Sequence, residues 1–143
     1  MIDVQRTDFA TVVTQDTERA IQFYGETLGL PRNPNSADEW PEFETGNLTL
    51  AVCHWAQLGR EEFQWEQLGR EEFTPSISPI ALRVPDVEKA RRRLEEAGVE
   101  FRGETIDSGV CCQAFFEDPD GNLLAIHHRY APGTPPVAAG NAD

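Results

Sequence analysis

A weak internal repeat constrains the fold of this chain more than any other feature. Aligned positions share residue type and order in both halves: Asp16, Glu18, Ala20 and Gly29 correspond to Asp86, Glu88, Ala90 and Gly98, and Gly46-Asn47-Leu48 corresponds to Gly121-Asn122-Leu123. Such a repeat marks two copies of one supersecondary unit, each too short to close its own core. We therefore predict two similar units that pack together within the 143 residues.

The first half is predicted to form a strand, a helix and a hairpin. Residues 8–14 (DFATVVT) are rich in β-branched side chains, which is typical of a strand. Asp16 is a suitable N-cap, and apolar residues then recur at three- and four-residue spacing up to Gly29, which predicts a helix over residues 17–28. The predicted hairpin pairs residues 42–45 with residues 48–53 around Gly46-Asn47.

The second half repeats this order. Residues 80–84 form the predicted strand, and a helix over residues 87–97 begins after Asp86 and ends at Gly98. A further strand is predicted at residues 99–102. The turn DPDGN then joins the last hairpin, which pairs residues 109–116 with residues 122–128. Both halves therefore predict an α+β fold.

The charge balance of the chain argues against several classes of partner. Twenty-five acidic and 12 basic side chains give a formal net charge of -13, which repels nucleic acid and anionic membrane surfaces but would attract a cationic ligand. No apolar run approaches the roughly 20 residues that span a bilayer, and the start MIDVQRTDF does not resemble a signal peptide. Three cysteines without Cys-x-x-Cys spacing fit a reducing compartment, so we expect a cytoplasmic protein.

Three segments together resemble the vicinal oxygen chelate superfamily: DFATVVTQDTERAIQFYGETLGL, IALRVPDVEKARRRLEEAGVEF and AFFEDPDGNLLAIHHR. This group contains glyoxalase I, bleomycin resistance proteins, fosfomycin resistance proteins and extradiol dioxygenases. The resemblance extends over residues 5–130. It implies two βαβββ modules whose curved mixed sheets enclose a cavity, commonly in a homodimer.

The resemblance also implies four positions at which metal enzymes of the group hold one divalent ion. These positions lie on the first and last strands of each module and fall on Phe9, Leu50, Pro79 and Ala125, with Ala51 replacing Leu50 if the register shifts by one. None of these side chains has a lone pair for a divalent metal. We therefore expect no metal at the inherited positions and no other cofactor.

Strand alternation indicates which side chains should face the cavity. The predicted ligand-binding residues are Phe9, Thr11, Leu50, Ala81, Arg83, Gln113, Ala125 and His127. Most of them are apolar, and the small side chains of Ala81 and Ala125 leave room, so the lining suits an organic ligand held by burial and a few hydrogen bonds. A fully packed core is the competing interpretation of the same residues.

Histidine offers two further possibilities. His127 shares the strand face of Ala125 and is our candidate acid, base or hydrogen-bond donor, while no catalytic residue is otherwise assigned. A relocated metal site built from His54, His127 and either Cys53 or Cys111 is conceivable. Histidines at strand ends are more commonly surface or hydrogen-bonded residues, which disfavours that site.

Three classes of function remain open. We favour a metal-free protein that sequesters a small organic ligand, as bleomycin resistance proteins do, and the acidic charge would suit a cationic ligand. The second class is a glyoxalase-like lyase or isomerase, or a dioxygenase, with a relocated metal. The third is a metal-independent enzyme that uses His127 or Arg83 on an organic substrate. Fold resemblance alone does not choose between them.

A duplicated segment separates the two halves. Residues 55–64 (WAQLGREEFQ) and 65–74 (WEQLGREEFT) match at eight of ten positions. We predict a first module over residues 1–54, a duplicated crossover linker over 55–76, a second module over 77–130 and a disordered tail over 131–143. The duplication is interpreted as recent and absorbed by the linker. The alternative is that its aromatic side chains, Trp55, Phe63, Trp65 and Phe73, cover the cavity or contact a dimer partner.

Deleting residues 57–66 leaves one intact copy of the repeat and should preserve the fold. Each doubling of loop length costs only roughly 0.6 kcal/mol of closure entropy, so the free energy of unfolding should change by less than about 1 kcal/mol. Thermal unfolding and size-exclusion chromatography check this. A large loss of stability, or of dimerisation, would show that both copies are needed.

Overall fold

The computed structural model describes residues 1–59 and 72–130, and the chain divides into two compact units, Met1–Thr74 and Pro75–Asp143. The predicted tail and most of the predicted linker lie outside these described residues. The part of the duplicated segment that is described begins with a short 3-10 helix, Trp55–Gly59. Within residues 1–59 and 72–130, no helix is both long enough and apolar enough to cross a membrane.

The first unit contains a three-stranded sheet and one helical segment. Strand β1 runs parallel to β3, which lies in the centre of the sheet, and β2 pairs antiparallel with β3. The elements are β1 (Phe9–Thr14), α1 (Thr17–Gln22), a π-helical turn (Phe23–Thr27), β2 (Glu42–Glu44) and β3 (Thr49–His54). The predicted strand, helix and hairpin are confirmed in this order.

The helical segment of the first unit begins where the sequence predicts. The Asp16 carboxylate accepts a hydrogen bond of 3.1 Å from the backbone N–H of Arg19, which satisfies one of the unpaired donors of the first turn. The last five residues of the segment are π-helical rather than α-helical. In this turn Gly25 allows a close approach, because a Cβ there would lie 3.3 Å from the Phe43 ring.

The first sheet has one strand fewer than the superfamily resemblance implies. The segment before β2 contributes only an isolated bridge between Arg32 and Phe43. Arg32 instead organises this loop, because its guanidinium donates to the Ser36 hydroxyl and to the Asp38 carboxylate, each at 3.0 Å. Hydrogen bonds from a side chain thus replace the ladder that a fourth strand would form.

The second unit has the complete order β, α, β, β, β. Strand β4 is parallel to β7, and the remaining neighbours are antiparallel, in the spatial order β4-β7-β6-β5. The elements are β4 (Ile80–Arg83), α2 (Val87–Glu96), β5 (Phe101–Asp107), β6 (Cys111–Glu117) and β7 (Leu123–Arg129). The α+β fold class is confirmed, with sheets of three and four strands, and β5 is longer than predicted.

Helix α2 covers one face of the four-stranded sheet. Asp86 caps the helix by accepting a hydrogen bond of 3.0 Å from the Lys89 N–H. Two side chains of the helix, Val87 and Leu94, are buried. The Arg91 guanidinium lies 4.7 Å from the centre of the Phe101 ring and donates to the Glu95 carboxylate at 3.1 Å. Because α2 occupies this face, the opposite face is the one on which a ligand site is to be sought.

The turn DPDGN is held by a buried network that also fixes the start of the second unit. One Asp118 oxygen accepts from the N–H groups of Asp120 and Asn122, both at 2.9 Å, and the other accepts from the Asn122 amide at 2.8 Å. The Asn122 side chain in turn accepts from the Ser76 N–H at 2.8 Å. Leu123 donates its N–H to the Ser76 carbonyl at 2.9 Å, so residue 76 is tied to the beginning of β7.

Asn122→Ala should destabilise the protein by roughly 2–4 kcal/mol, because each buried polar group left without its partner costs about 1–3 kcal/mol. Asn47→Ala is the matched control, since Asn47 occupies the aligned position in the first unit and is exposed, and it should change stability by less than about 0.5 kcal/mol. Urea unfolding of both variants measures the difference. Equal effects would contradict the structural role of the network.

Candidate functional site

The strand pairing determines which side chains lie on the sheet face opposite α2. We call this surface the Arg83–His127 face. Its strand residues are Ala81, Arg83, Arg102, Ile106, Cys111, Gln113, Phe115, Glu117, Leu123, Ala125, His127 and Arg129. Five of the eight predicted ligand-binding residues are therefore brought together: Ala81, Arg83, Gln113, Ala125 and His127.

These side chains form two neighbouring rows across the strands. The polar row is Arg83, His127 and Gln113, which pair directly through the β4–β7 and β6–β7 registers. The apolar row is Ala81, Ala125 and Phe115, which pair in the same way two residues away along each strand. Two residues of a strand span roughly 6.6 Å. The polar row and the apolar row are therefore separated by about the width of one aromatic ring.

The apolar row is shallow at its centre. Ala81 is exposed, Phe115 is half-buried, and Ala125 between them is buried. Ala125 is only 1% exposed, so Ala81 and Phe115 are the members of the apolar row that solvent reaches. This arrangement could hold one apolar group against the sheet while the polar row contacts its substituents.

The Arg83–His127 face carries an excess of positive charge. Arg83 and Arg129 are exposed, and no carboxylate among the described residues lies within 4.0 Å of either guanidinium. Glu117 is the carboxylate that the described strands place on this face, and it pairs with Arg102. The face therefore differs in charge from the strongly acidic chain as a whole.

His127 lies in the middle of this charge distribution. Burial lowers the pKa of its imidazole, and the positive charges of Arg129 and Arg83 lower it further, with a smaller effect from His128. His127 is therefore neutral at pH 7, with one ring nitrogen as donor and the other as acceptor. Such a side chain can orient a ligand or accept a proton from it.

Phe9 and Thr11 of the first unit lie together on one face of β1. Both side chains are exposed, Phe9 to 58% of its surface. In the parallel pairing of β1 with β3, Phe9 is opposite Thr49 and Thr11 is opposite Ala51. Ala51, rather than Leu50, is therefore the residue that lies beside Thr11.

The predicted placement of Leu50 on this face is wrong. Leu50 pairs with Ala10, so it lies on the opposite face with Val12, where both are buried. Strand β7 begins two residues after Gly121, whereas β3 begins three residues after Gly46. Counting from the turn glycine therefore misses one residue, and a shift of one residue moves a side chain to the other face of the sheet.

The four inherited metal positions do not fit a divalent ion. With the register established they are Phe9, Ala51, Pro79 and Ala125, and none of these side chains has an atom that coordinates a metal. Among the described residues, no group of three or more His, Cys, Asp and Glu side chains is placed to hold a metal ion. We derive no chemistry through a metal at these positions.

Neither His54 nor Cys53 is suited to a relocated site. The Ala56 N–H donates to Nδ1 of His54 at 3.1 Å, so Nε2 carries the proton and donates to the Gln15 carbonyl at 3.0 Å. Both ring nitrogens are thus occupied, in agreement with the prediction of a hydrogen-bonded histidine. Burial raises the pKa of the Cys53 thiol to about 11, which disfavours the thiolate that metals bind.

A separate cleft lies on the α2 side of the second unit. It has a volume of ≈ 590 Å³, and its lining residues are Glu88, Arg91, Arg92, Glu95, Glu104, Thr105, Asp107 and Cys112. Arg91 already donates to Thr105 and to the Gly103 carbonyl, each at 3.0 Å. The cleft contains none of the predicted site residues, and Arg91 also pairs there with Glu95.

Two side chains of the Arg83–His127 face that matter for the predicted ligand binding, Arg129 and Phe115, were not predicted from the sequence. Arg129 follows His127 by two residues on β7, and Phe115 follows Gln113 by two residues on β6, so strand alternation could have identified both. Arg129 lies just beyond the predicted end of the last strand. Phe115 lies between Ala114 and Phe116, and a run of three apolar residues does not show which of them faces away from the core.

Residues 6–126 match the family model described as the Glyoxalase/Bleomycin resistance protein/Dioxygenase superfamily. The chain belongs to this superfamily. Within it, the chain is 27% identical over 124 residues to the uncharacterized protein YurT of Bacillus subtilis (strain 168), a match that covers 81% of this chain and 93% of YurT. The resemblance inferred from the sequence motifs is confirmed.

Two solved structures illustrate the fold shared within the superfamily. A glyoxalase/bleomycin resistance protein/dioxygenase from Nocardioides is 22% identical, with a TM-score of 0.67, covering 94% of this chain and 90% of that chain. TnmS3, an antibiotic binding protein from Streptomyces sp. CB03234, is 22% identical with a TM-score of 0.67, covering 90% of this chain and 99% of that chain. At this identity the likeness extends to the fold alone.

Removing a neighbouring charge in this superfamily member should raise the pKa of His127. Arg129→Gln should have the larger effect and Arg83→Gln a smaller one, because each removes a cation that disfavours the imidazolium. NMR titration of the His127 ring protons measures the change. Arg93→Gln on α2 is the control for net charge, and a His127 pKa that does not respond to either strand variant would contradict the geometry.

Proposed function

We infer that this protein binds a small organic ligand on the Arg83–His127 face without the help of a metal, in the manner of a sequestering protein. The observation that carries the proposal is the pairing of a polar row with an apolar row on the sheet face opposite α2. Metal donors are missing from the inherited positions, while hydrogen-bond donors and small side chains are present beside them. This donor set suits recognition of an organic molecule rather than coordination of an ion.

The comparison with TnmS3 is consistent with this proposal, since that protein is an antibiotic binding protein of similar fold. Function nevertheless depends on the site, and the proposal rests on the residues of this chain. Phe9 and Thr11 are proposed separately, as ligand contacts on the first unit, because both are exposed on a strand face of that unit. We also propose a homodimer, which light scattering would detect.

A metal-independent enzyme is the second candidate, and the position of His127 between Arg83 and Gln113 in the polar row favours it. A neutral imidazole at pH 7 can accept a proton from a bound substrate. The two functions share one site and differ in what happens to the ligand. Under sequestration a bound ligand is recovered unchanged, whereas an enzyme would convert it.

A thermal-shift screen of organic ligands tests the proposal, because a ligand that binds only the folded state raises the melting temperature. Any hit should shift the amide NMR signals of Gln113 and His127 and should be recovered unchanged. Ala81→Phe should weaken binding by about tenfold or more by filling the apolar row, whereas Ala37→Phe, at an exposed loop position of the first unit, should not. Hits that map only to other surfaces would refute the proposed site.

A further inference from the structure

The charge of the Arg83–His127 face opposes the charge of the rest of the molecule. The chain carries a formal charge of -13, yet two exposed arginines lie on this face without a carboxylate within 4.0 Å among the described residues. The cleft on the α2 side of the same unit has a mixed lining, with four carboxylates (Glu88, Glu95, Glu104 and Asp107) and two arginines (Arg91 and Arg92). Carboxylates therefore outnumber arginines in that cleft, whereas arginines outnumber carboxylates among the strand residues of the Arg83–His127 face.

The guanidinium groups of Arg83 and Arg129, which form no ion pair within residues 1–59 and 72–130, suggest what the face binds. Arginine presents several N–H donors in a planar arrangement that matches a carboxylate with two parallel hydrogen bonds. Arg83 pairs across the sheet with His127, and His127 pairs with Gln113, so three side chains with N–H donors lie in one row. A carboxylate offers two acceptor oxygens to such a row, and its negative charge balances the positive charge of the guanidinium groups.

We propose that the ligand of the Arg83–His127 face is an organic anion, namely a carboxylate attached to an apolar body of one or two rings. The inference rests on the proposed function and specifies its ligand class. The carboxylate contacts the polar row, and the apolar body contacts the accessible surfaces of Ala81 and Phe115 on either side of buried Ala125. The spacing of roughly 6.6 Å between the two rows matches the distance from a carboxylate to the far side of an attached ring.

This inference reverses the ligand charge expected from the composition. The net charge of -13 attracts cations at long range, but that attraction is screened beyond about 10 Å at ordinary salt. At the face itself, a cationic ligand would lie beside Arg83 and Arg129, and neutral His127 offers it no counter-charge. The nearby arginines therefore determine the preference for an anion.

Three ligands of matched shape test the ligand charge directly. Naphthalene-2-carboxylate is the anion, naphthalene-2-carboxamide the neutral isostere and naphthalen-2-ylmethylammonium the cation. NMR titration of the full chain at pH 7 should give the tightest binding for the carboxylate, by about tenfold over the amide, with shifts at Gln113 and His127. The bound anion should also raise the pKa of His127, because it stabilises the imidazolium.

Arg83→Gln should weaken carboxylate binding about tenfold and leave the amide nearly unaffected. Arg93→Gln changes the net charge by the same amount on exposed α2 and should leave both affinities unchanged. Circular dichroism of each variant verifies folding. Raising the salt concentration should weaken the carboxylate more than the amide, which provides a test that needs no variant.

The outcomes separate this inference from the proposed function. If the amide or the cation binds the face as well as the carboxylate does, the ligand class is wrong while the binding site stands. Absence of carboxylate binding at millimolar concentration likewise overturns the ligand class. If no member of a broad ligand library perturbs Gln113 or His127, the proposed function itself fails.

Discussion

The parallel pairing of β4 with β7 is the constraint on which the site depends. Because side chains alternate along a strand, the register decides whether Arg83 and His127 lie on the same face or on opposite faces. Their direct pairing places both on the face that α2 does not cover, together with Ala81 and Ala125. A shift by one residue would expose Leu82 and Ile126 there instead and would bury the charged side chains.

The buried turn network explains why this register is well determined. Asp118 accepts hydrogen bonds from two backbone N–H groups and from Asn122, and Asn122 holds the N–H of Ser76. Ser76 precedes β4 by a few residues and is thereby fixed beside the start of β7. A sequence motif that indicates a tight turn thus also aligns two strands that are distant in the chain.

The internal repeat, the cap residues Asp16 and Asp86, and the last hairpin could all be predicted from sequence because they depend on local periodicity and turn chemistry. The position of Leu50 could not, because it depends on one additional residue between Gly46 and β3. The absence of a fourth strand from the described part of the first sheet could not be predicted either. The loop in its place is held by side-chain contacts of Arg32, and such contacts leave no periodic signal in the sequence. Local periodicity and turn chemistry thus predicted the helices and strands. The pairing of strands that are distant in the chain determined which side chains lie on each face of a sheet.

The same distinction applies to the candidate site. Alternation predicted that Ala81, Arg83, Ala125 and His127 share a face, since they lie on strands that were correctly identified. It did not predict the charge of that face, because Arg129 lay past the expected strand end and four carboxylates of the unit line the cleft on the α2 side instead. Net charge describes the whole surface and therefore gave no indication of this local excess of arginine.

We propose that this superfamily member recognises its ligand through side chains of the sheet face and requires no metal to do so. The most direct test measures the metal content of the protein by mass spectrometry and the affinity for a bound ligand before and after treatment with EDTA. We expect far less than one divalent ion per chain and an affinity that EDTA does not change. One divalent ion per chain, lost together with ligand binding on EDTA treatment or in His127→Gln, would contradict it.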